Sequence, residues 1–413
     1  MTTDTPNCRF CGTPLTESFA DLGETPLANS YVDPANAGTP DPVYPLHARV
    51  CGECLLVQVE DVVPAEHIFS DYAYFSSYSK SWVEHARNYA DMVIERFGLD
   101  QSSSVIEVAS NDGYLLQHFA ARDIPVLGVE PAANVARAAE AKGIATRTAF
   151  FGAEFARSLR EEGVQANLLA GNNVLAHVPD LNDFVSGLPI LLAEDGVLTM
   201  EFPHLLRLIE DVQFDTIYHE HYSYFSLLVV ERVFGHHGLK VFDVQELPTH
   251  GGSLRVFASR ANGPDRGESA GLENVRTSES AAQLKQLKTY AGFQPRIDSV
   301  RDGLLAFLET ARADGKTVAA YGAAAKGNTL LNYSGVDAGQ IAFVADVSPE
   351  KQNKLLPGSR IPITAPEHLK TAKPDHVLIL PWNLKAEITS SHSYIRDWGG
   401  DFVIAVPELT VLS

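Results

Sequence analysis

Every cysteine of this 413-residue chain lies within its first 54 residues, in two pairs of one spacing, Cys8-Arg-Phe-Cys11 and Cys51-Gly-Glu-Cys54. Two residues between thiolates let one tight knuckle offer both sulfurs to a single tetrahedral ion. Two such knuckles close a four-thiolate shell, the geometry of structural zinc. The 39 residues between the pairs make a longer insert than an ordinary zinc ribbon has. Two disulfides or a redox dithiol are the competing readings. No strand-to-helix context accompanies either pair. The opening Met1-Thr-Thr-Asp-Thr-Pro-Asn7 lacks the basic and apolar regions of a secretory signal, so a cytoplasmic setting is expected, and disulfides are rare there. A closed four-sulfur site does no chemistry; its task is to hold a region of under about 60 residues that could not bury a core alone.

The rest of the chain is long enough for two or three domains. With 45% hydrophobic and 20% charged residues it has the composition of a folding chain. Its 52 acidic residues against 32 basic ones give a net charge of −20, which repels phosphate backbones and argues against nucleic acid as a partner. No run of 18 apolar residues suggests a membrane span.

Beyond an aromatic loop at 61–80, an amphipathic helix is predicted over 81–98, with Trp82, Ala86, Tyr89, Met92, Val93 and Phe97 on one face. Strands at 105–108, 126–129, 167–170 and 197–202 then alternate with helices at 113–122, 132–142, 152–162 and 180–193. Such βαβα alternation means a parallel sheet covered on both faces. A hairpin of 240–246 and 253–260 should close its edge. Residues 261–277 are polar and read as a linker, followed by a helix-rich connector to about 313. A second βαβ series uses strands near 317–321, 341–344, 376–380 and 402–406. Each series opens on a strand and a glycine-containing turn, and its next strand ends in an acid, Glu130 or Asp346. Duplication would explain this, and so would the shared plan of doubly wound domains.

In a doubly wound sheet the ligand sits over the first βα turn. Here that turn is Ser110-Asn-Asp-Gly113, and Glu130, 17 residues after Gly113, is placed to hold ribose hydroxyls. One glycine is too few for the G-x-G-x-x-G approach to a pyrophosphate, so a cofactor with ribose and no phosphate fits better, as S-adenosylmethionine does. Histidines follow two of the strands: His177 after 167–170, and Tyr218-His-Glu-His221-Tyr after 197–202. A base beside a ketone makes the neighbouring carbon a nucleophile, and histidine suits that task near neutral pH. A tyrosine, with its unperturbed pKa near about 10, serves better as a donor to the enolate oxygen. A second metal on His219 and His221 is the competing reading, weakened because no further ligand is placed to complete its shell. His236 and His237 read as ordinary surface residues.

Asn111-Asp112-Gly113 behind a four-cysteine region, with 171–178, 218–225, His250-Gly-Gly-Ser-Leu-Arg255 and Gly322-Ala-Ala-Ala-Lys-Gly-Asn328 in order, resembles the sugar C-methyltransferases of antibiotic deoxysugar pathways. The resemblance spans nearly the whole chain. It implies an α/β protein with a zinc-binding N-terminal domain (1–75), a Rossmann-like methyltransferase domain (76–262) and a C-terminal Rossmann-like domain (263–413). The implied cofactors are S-adenosylmethionine and structural zinc on Cys8, Cys11, Cys51 and Cys54. The implied substrate is a dTDP-4-keto-deoxysugar, methylated beside its ketone with carbon 3 favoured, and the chain is expected to act as a monomer. Glu107, Asn111, Asp112, Gly113, Glu130, Phe150, Phe151 and Asn173 would line the cofactor. Phe75, Ser76, Tyr78, Lys326 and Asn328 would contact the sugar nucleotide, its diphosphate docking between the middle and last domains. His221 would be the base, Tyr218 would orient the ketone or stabilise the enolate, and Glu220, His177 and Tyr72 would support them. A nicotinamide-dependent sugar oxidoreductase or epimerase and a non-catalytic zinc-ribbon binding module are the alternatives.

Overall fold

The computed structural model describes residues 5–64 and 75–412. Strands β1 (Glu17–Thr25), β2 (Tyr44–Val50) and β3 (Val57–Gln58) form an antiparallel sheet beside the cysteine knuckles. Inward residues such as Phe19, Leu46 and Ala48 are almost wholly buried, as period-two strands on a shared core require.

The helix Lys80–Phe97 begins where the Ser79 hydroxyl accepts the Trp82 N–H and ends at left-handed Gly98. Ala86, Tyr89, Ala90 and Val93 are buried, at the helical spacing the sequence implied. A second sheet follows, built from β4 (Val105–Val108), β5 (Val126–Val129), β6 (Thr146–Arg147), β7 (Ala166–Asn172) and β8 (Leu192–Pro203). These five are parallel in the order β6-β5-β4-β7-β8. The strand β9 (Ser223–Tyr224) leaves this unit and pairs antiparallel with β3, so the cysteine sheet takes its fourth strand from far downstream. The hairpin β10 (Leu239–Leu247) and β11 (Ser253–Arg260) then closes the edge, β11 lying antiparallel to β8.

The predicted linker is a correction. Residues 270–277 belong to the helix Ala270–Ala281, capped by Ser269. Its buried Glu279 accepts the Leu227 and Leu228 N–H groups at 2.6 and 2.9 Å and bonds the His204 ring at 2.8 Å. A carboxylate thus caps the helix Leu227–His236, where free N–H groups favour a negative charge.

After the helix Gln294–Ala313, a third sheet runs β12 (Val318–Tyr321), β13 (Val344–Ala345), β14 (Ile363–Thr364), β15 (His376–Ile379), β16 (Asp401–Ile404) and β17 (Thr410–Leu412). All are parallel except β17, in the order β14-β13-β12-β15-β16-β17. In both parallel sheets the first strand sits centrally and the chain later reverses its direction of winding beside it. That creates the crevice at the strands' carboxyl ends where such folds take ligands. Among the described residues no helix is long and apolar enough to cross a membrane.

Candidate active site

The four cysteine sulfurs lie within 4.8 Å of one another, the one group of metal-type donors found among the described residues. Each knuckle turns through a left-handed residue after its second or last sulfur, Gly12 at φ 74° and Leu55 at φ 67°. The Gln58 amide donates to Cys8 Sγ at 3.2 Å and the Cys54 N–H approaches Cys51 Sγ at 3.5 Å. Donors aimed at sulfur fit thiolates under a tetrahedral ion, and the thiols are not joined as disulfides.

At the end of β4 the chain turns through Ala109, Asn111 and Gly113 at φ 55°, 49° and 77°. Alternate left-handed residues curl successive N–H groups toward one side, a concave cradle. Alanine and asparagine supply the left-handed conformation at two of the three positions. Only Gly113 is sterically confined, since a Cβ there would lie 3.0 Å from Ile144. Glu130 closes β5 and reaches across: Oε2 accepts the Asn111 N–H and Oε1 the Ala132 N–H, both at 2.9 Å. Burial pushes its pKa up, and the two N–H groups oppose that. A carboxylate has about four acceptor sites, which leaves capacity for two ribose hydroxyls.

Glu107 within β4 is wholly buried, and burial holds its pKa well above the usual carboxylate range while the Tyr114 hydroxyl opposes. The Asn172 and Asn173 side-chain oxygens are buried without hydrogen-bond partners. Buried acceptors gathered at the ends of β4 and β7 suit the ammonium group of a bound amino acid. These residues fit S-adenosylmethionine. The Asn111 and Asp112 side chains are otherwise engaged, because they fasten the segment 75–79 over the turn. The Ser76 N–H donates to Asn111 Oδ1 at 2.8 Å, the Ser77 N–H to Asp112 Oδ1 at 3.3 Å, and Lys142 Nζ bridges Asp112 Oδ2 and Ser77 Oγ at 2.8 Å each. Phe75 and Tyr78 stack at 5.4 Å, Tyr78 largely exposed. Phe150 is half exposed, and Phe151 meets Phe184 edge-on at 5.4 Å. Tyr72 lies outside the described residues.

A cavity that includes Asn173 is lined further by Gln213, Thr216, Tyr218, His221, His250 and Lys326 among apolar neighbours such as Leu205, Leu208 and Phe225. His221 donates from Nδ1 to the Thr216 carbonyl at 2.9 Å. A carbonyl only accepts, so the proton sits on Nδ1 and Nε2 is left to accept the Tyr218 hydroxyl at 2.8 Å. His177 is fixed in the same way, its Nδ1–H on the Glu220 carbonyl at 2.8 Å and its ring edge-on to His221 at 4.7 Å. Burial lowers the pKa of His177 to about 4, of His250 to about 4, and of His221 well below the ordinary range. All three rings are therefore neutral near pH 7. The Glu220 carboxyl points the other way, accepting the Asn29 amide at 2.7 Å, and burial pushes its pKa up to about 7.

His219 faces the cysteine sheet, bonding the Pro45 carbonyl at 3.2 Å with its ring edge-on to Tyr44. Residues 218–222 are not a strand, so His219 and His221 face different partners, and the H-x-H geometry on which the competing second-metal reading rested is not formed. Lys326 is brought to the cavity by the turn after β12. Asn328, two residues on, is buried and donates its amide to the Ala28 carbonyl at 2.6 Å, which places it at the contact with the N-terminal unit.

Sequence reasoning missed the group behind His250. Glu201 lies buried near the end of β8 and accepts His85 Nε2 at 2.9 Å, the Thr249 hydroxyl at 3.0 Å and Arg255 at 2.5 Å. Burial would raise its pKa, but His85 and Arg255 hold it down at about 2. An acid inside the apolar run Leu198-Thr-Met-Glu-Phe202 was the available signal. His250 itself sits left-handed, at φ 56°, beside the Trp82 ring.

Comparison with known proteins bears on all three units. The "Putative zinc binding domain" model matches residues 8–69, the "Methyltransferase domain" model 82–244, and the "C-methyltransferase C-terminal domain" model 248–407. The C-methyltransferase NovU of Streptomyces niveus is 36% identical over 406 residues, covering 98% of this chain and 96% of that protein. Among solved structures, the magnesium protoporphyrin IX methyltransferase of Synechocystis with bound S-adenosylmethionine aligns at 15% identity and TM-score 0.34, over 43% of this chain and 79% of that one. An S-adenosylmethionine-dependent methyltransferase of Clostridium acetobutylicum aligns at 12% identity and TM-score 0.36, over 44% of this chain and 92% of that one. With a relative this similar along almost its whole length, and family models for zinc-binding, methyltransferase and C-terminal units in the same order, the chain belongs to the S-adenosylmethionine-dependent C-methyltransferases.

Proposed function

We propose that this enzyme methylates a carbon beside the ketone of a dTDP-4-keto-deoxysugar, in deoxysugar biosynthesis of the kind that serves antibiotics. The observation that carries the reading is the pair Tyr218–His221: a neutral imidazole with its proton locked on Nδ1 and its Nε2 turned to a phenol in the cavity. A carbon is methylated only after it becomes nucleophilic, and a base at a ketone's neighbour provides that. His221 takes the proton from this carbon on Nε2, and the Tyr218 hydroxyl, released from Nε2, donates to the sugar's ketone oxygen. His177 packs edge-on to His221 and keeps its ring in place, and the Glu220 carbonyl anchors His177.

Glu130 would hold the cofactor's ribose, the backbone cradle of Ala109, Asn111 and Gly113 would surround its methionine portion, and Glu107 and Asn173 would face its ammonium. S-adenosylmethionine supplies an electrophilic methyl group. Phe75, Ser76 and Tyr78, fastened over that cradle, would bound the sugar-nucleotide side, with Tyr72, and the diphosphate would dock between the middle and last units. The resemblance covers methylation at carbon 3 or carbon 5, carbon 3 is the favoured acceptor, and product NMR over a panel of keto-sugars separates the two.

The test uses keto-sugar deuterated beside the ketone, with the methyl donor left out. The wild type should wash label into solvent. His221→Asn should lose washout and methylation while binding both ligands. Full washout in His221→Asn together with its loss in His177→Asn would exchange the roles of the two histidines.

A further inference from the structure

Lys326 reaches the cavity from the last unit, yet it arrives beside the catalytic segment. It lines the same space as Tyr218, His221 and His250, and it is the one ammonium or guanidinium among the described lining residues. Lys326 is partly buried and its position is fixed from two sides. Nζ donates to Asn383 Oδ1 at 2.8 Å and sits 4.6 Å over the Trp382 ring. Trp382 in turn donates Nε1–H to Asp215 Oδ2 at 2.7 Å, and Asp215 is wholly buried with Oδ1 unpartnered. Burial lowers the Lys326 pKa, and the buried Asp215 carboxyl behind the indole opposes that and favours the charged form.

The lining decides what such a cation can serve. Leu205, Leu208, Pro203 and Phe225 form much of the wall, and the imidazoles of His221 and His250 are neutral. A diphosphate brings at least two charges and needs several cationic or hydrated donors. One ammonium in an apolar wall matches one oxyanion. An ammonium has three N–H donors, and the described residues engage one of them, at Asn383.

We propose that Lys326 is a catalytic residue that stabilises the enolate, while the diphosphate binds elsewhere; the proposal rests on the keto-sugar reading above. As His221 Nε2 takes the proton from the carbon beside the ketone, the C–H electron pair becomes the new C=C bond. The carbonyl π pair moves to oxygen, and the Lys326 ammonium holds the resulting charge. When that carbon bonds the donor's methyl group, the pair on oxygen returns to re-form the ketone, and the sulfur leaves with the S–CH3 electrons. A donor already in place costs no reorganisation at that moment.

The experiment compares wild type, Lys326→Met, and the double variant Asp215→Asn/Lys326→Met. The double variant removes both charges together and so leaves no uncompensated carboxylate in the interior. Two quantities are read without methyl donor: washout from dTDP-4-keto-6-deoxyglucose deuterated at carbons 3 and 5, at saturating sugar, and the affinity for dTDP alone by calorimetry. Retained S-adenosylmethionine binding confirms the fold. Both variants should lose washout by about 100- to 1,000-fold, the scale of one oxyanion donor, with dTDP affinity within about threefold of wild type. Washout within about threefold of wild type, with dTDP affinity down about tenfold or more, would overturn the assignment and make Lys326 a diphosphate ligand. Absence of washout from the wild-type enzyme on this sugar would instead strike the keto-sugar reading itself, whatever the variants do.

Discussion

The turns after β4 and β12 are built on one plan, and only the first belongs to the proposed cofactor site. In each, the acid after the neighbouring strand clamps two backbone N–H groups, one in the first turn and one two residues beyond itself. Glu130 takes Asn111 and Ala132, and Asp346 takes Ala323 at 2.7 Å and Ser348 at 2.8 Å. The difference lies in the backbone between strand and helix and in what covers it. The first turn has three alternate left-handed residues. The second has only Gly322, where a Cβ would meet Pro381 Cδ at 2.5 Å, before entering the helix Ala325–Ser334. Both turns carry groups of the protein itself: Ser76, Ser77 and Lys142 bond to Asn111 and Asp112 of the first, while at the second the Ala323 carbonyl accepts the Tyr31 hydroxyl at 2.6 Å and Lys351 Nζ at 2.9 Å. The doubly wound crevice is thus generic, and loop conformation together with the covering segment assigns its use.

Exchanging one carboxylate at a time gives the largest contrast. Glu130→Ala should weaken S-adenosylmethionine binding by about 10- to 150-fold, one charge-assisted hydrogen bond of about 1.5–3 kcal/mol. Asp346→Ala should leave that affinity within about twofold and instead lower unfolding free energy by about 1–3 kcal/mol, since a buried Ala323 N–H loses its acceptor. Calorimetry and denaturant unfolding on both variants check this, and equal effects on cofactor affinity would erase the distinction. Tyr31→Phe removes one donor from the filled turn and should cost about 0.5–1.5 kcal/mol of stability with cofactor affinity unchanged. The smallest effect is of opposite sign. Ala109→Gly relieves a left-handed alanine and should raise stability by up to about 1 kcal/mol, seen as a higher melting temperature. A loss of stability there would mean that the alanine methyl packs usefully.

The parallel strands were legible because they are short, doubly buried apolar runs: all four residues of 105–108 and all four of 376–379 are buried, charge included at Glu107. The helix Ala270–Ala281 was not, because only Leu272 and Val275 carry its apolar face and its third buried residue is Glu279, a charge that local periodicity scores as outward. The site divides in the same way. Strand ends directed attention to Glu130, His177 and Lys326. Glycine counting pointed to a cofactor without a pyrophosphate, but the left-handed asparagine and alanine of the turn are conformations that composition does not reveal. The direction in which His219 and Asn328 face depends on contacts with Pro45 and Ala28, hundreds of residues away in the second case, and no local pattern encodes it.

The pairing of β3 with β9 bears on how relatives of this enzyme can be recombined. Cys51 and Cys54 lie just before β3, and Tyr218, His221 and Tyr222 just before β9, which β3 holds through Val57–Tyr224 and Gln58–Ser223. The Val59 N–H also donates to the Tyr222 carbonyl at 3.1 Å. A chimera that joins one parent's cysteine module to another's methyltransferase unit therefore cuts through the border of the reaction chamber. Donor and recipient must agree on this two-strand seam, or the hybrid will keep its cysteine site and still misalign His221, the proposed base.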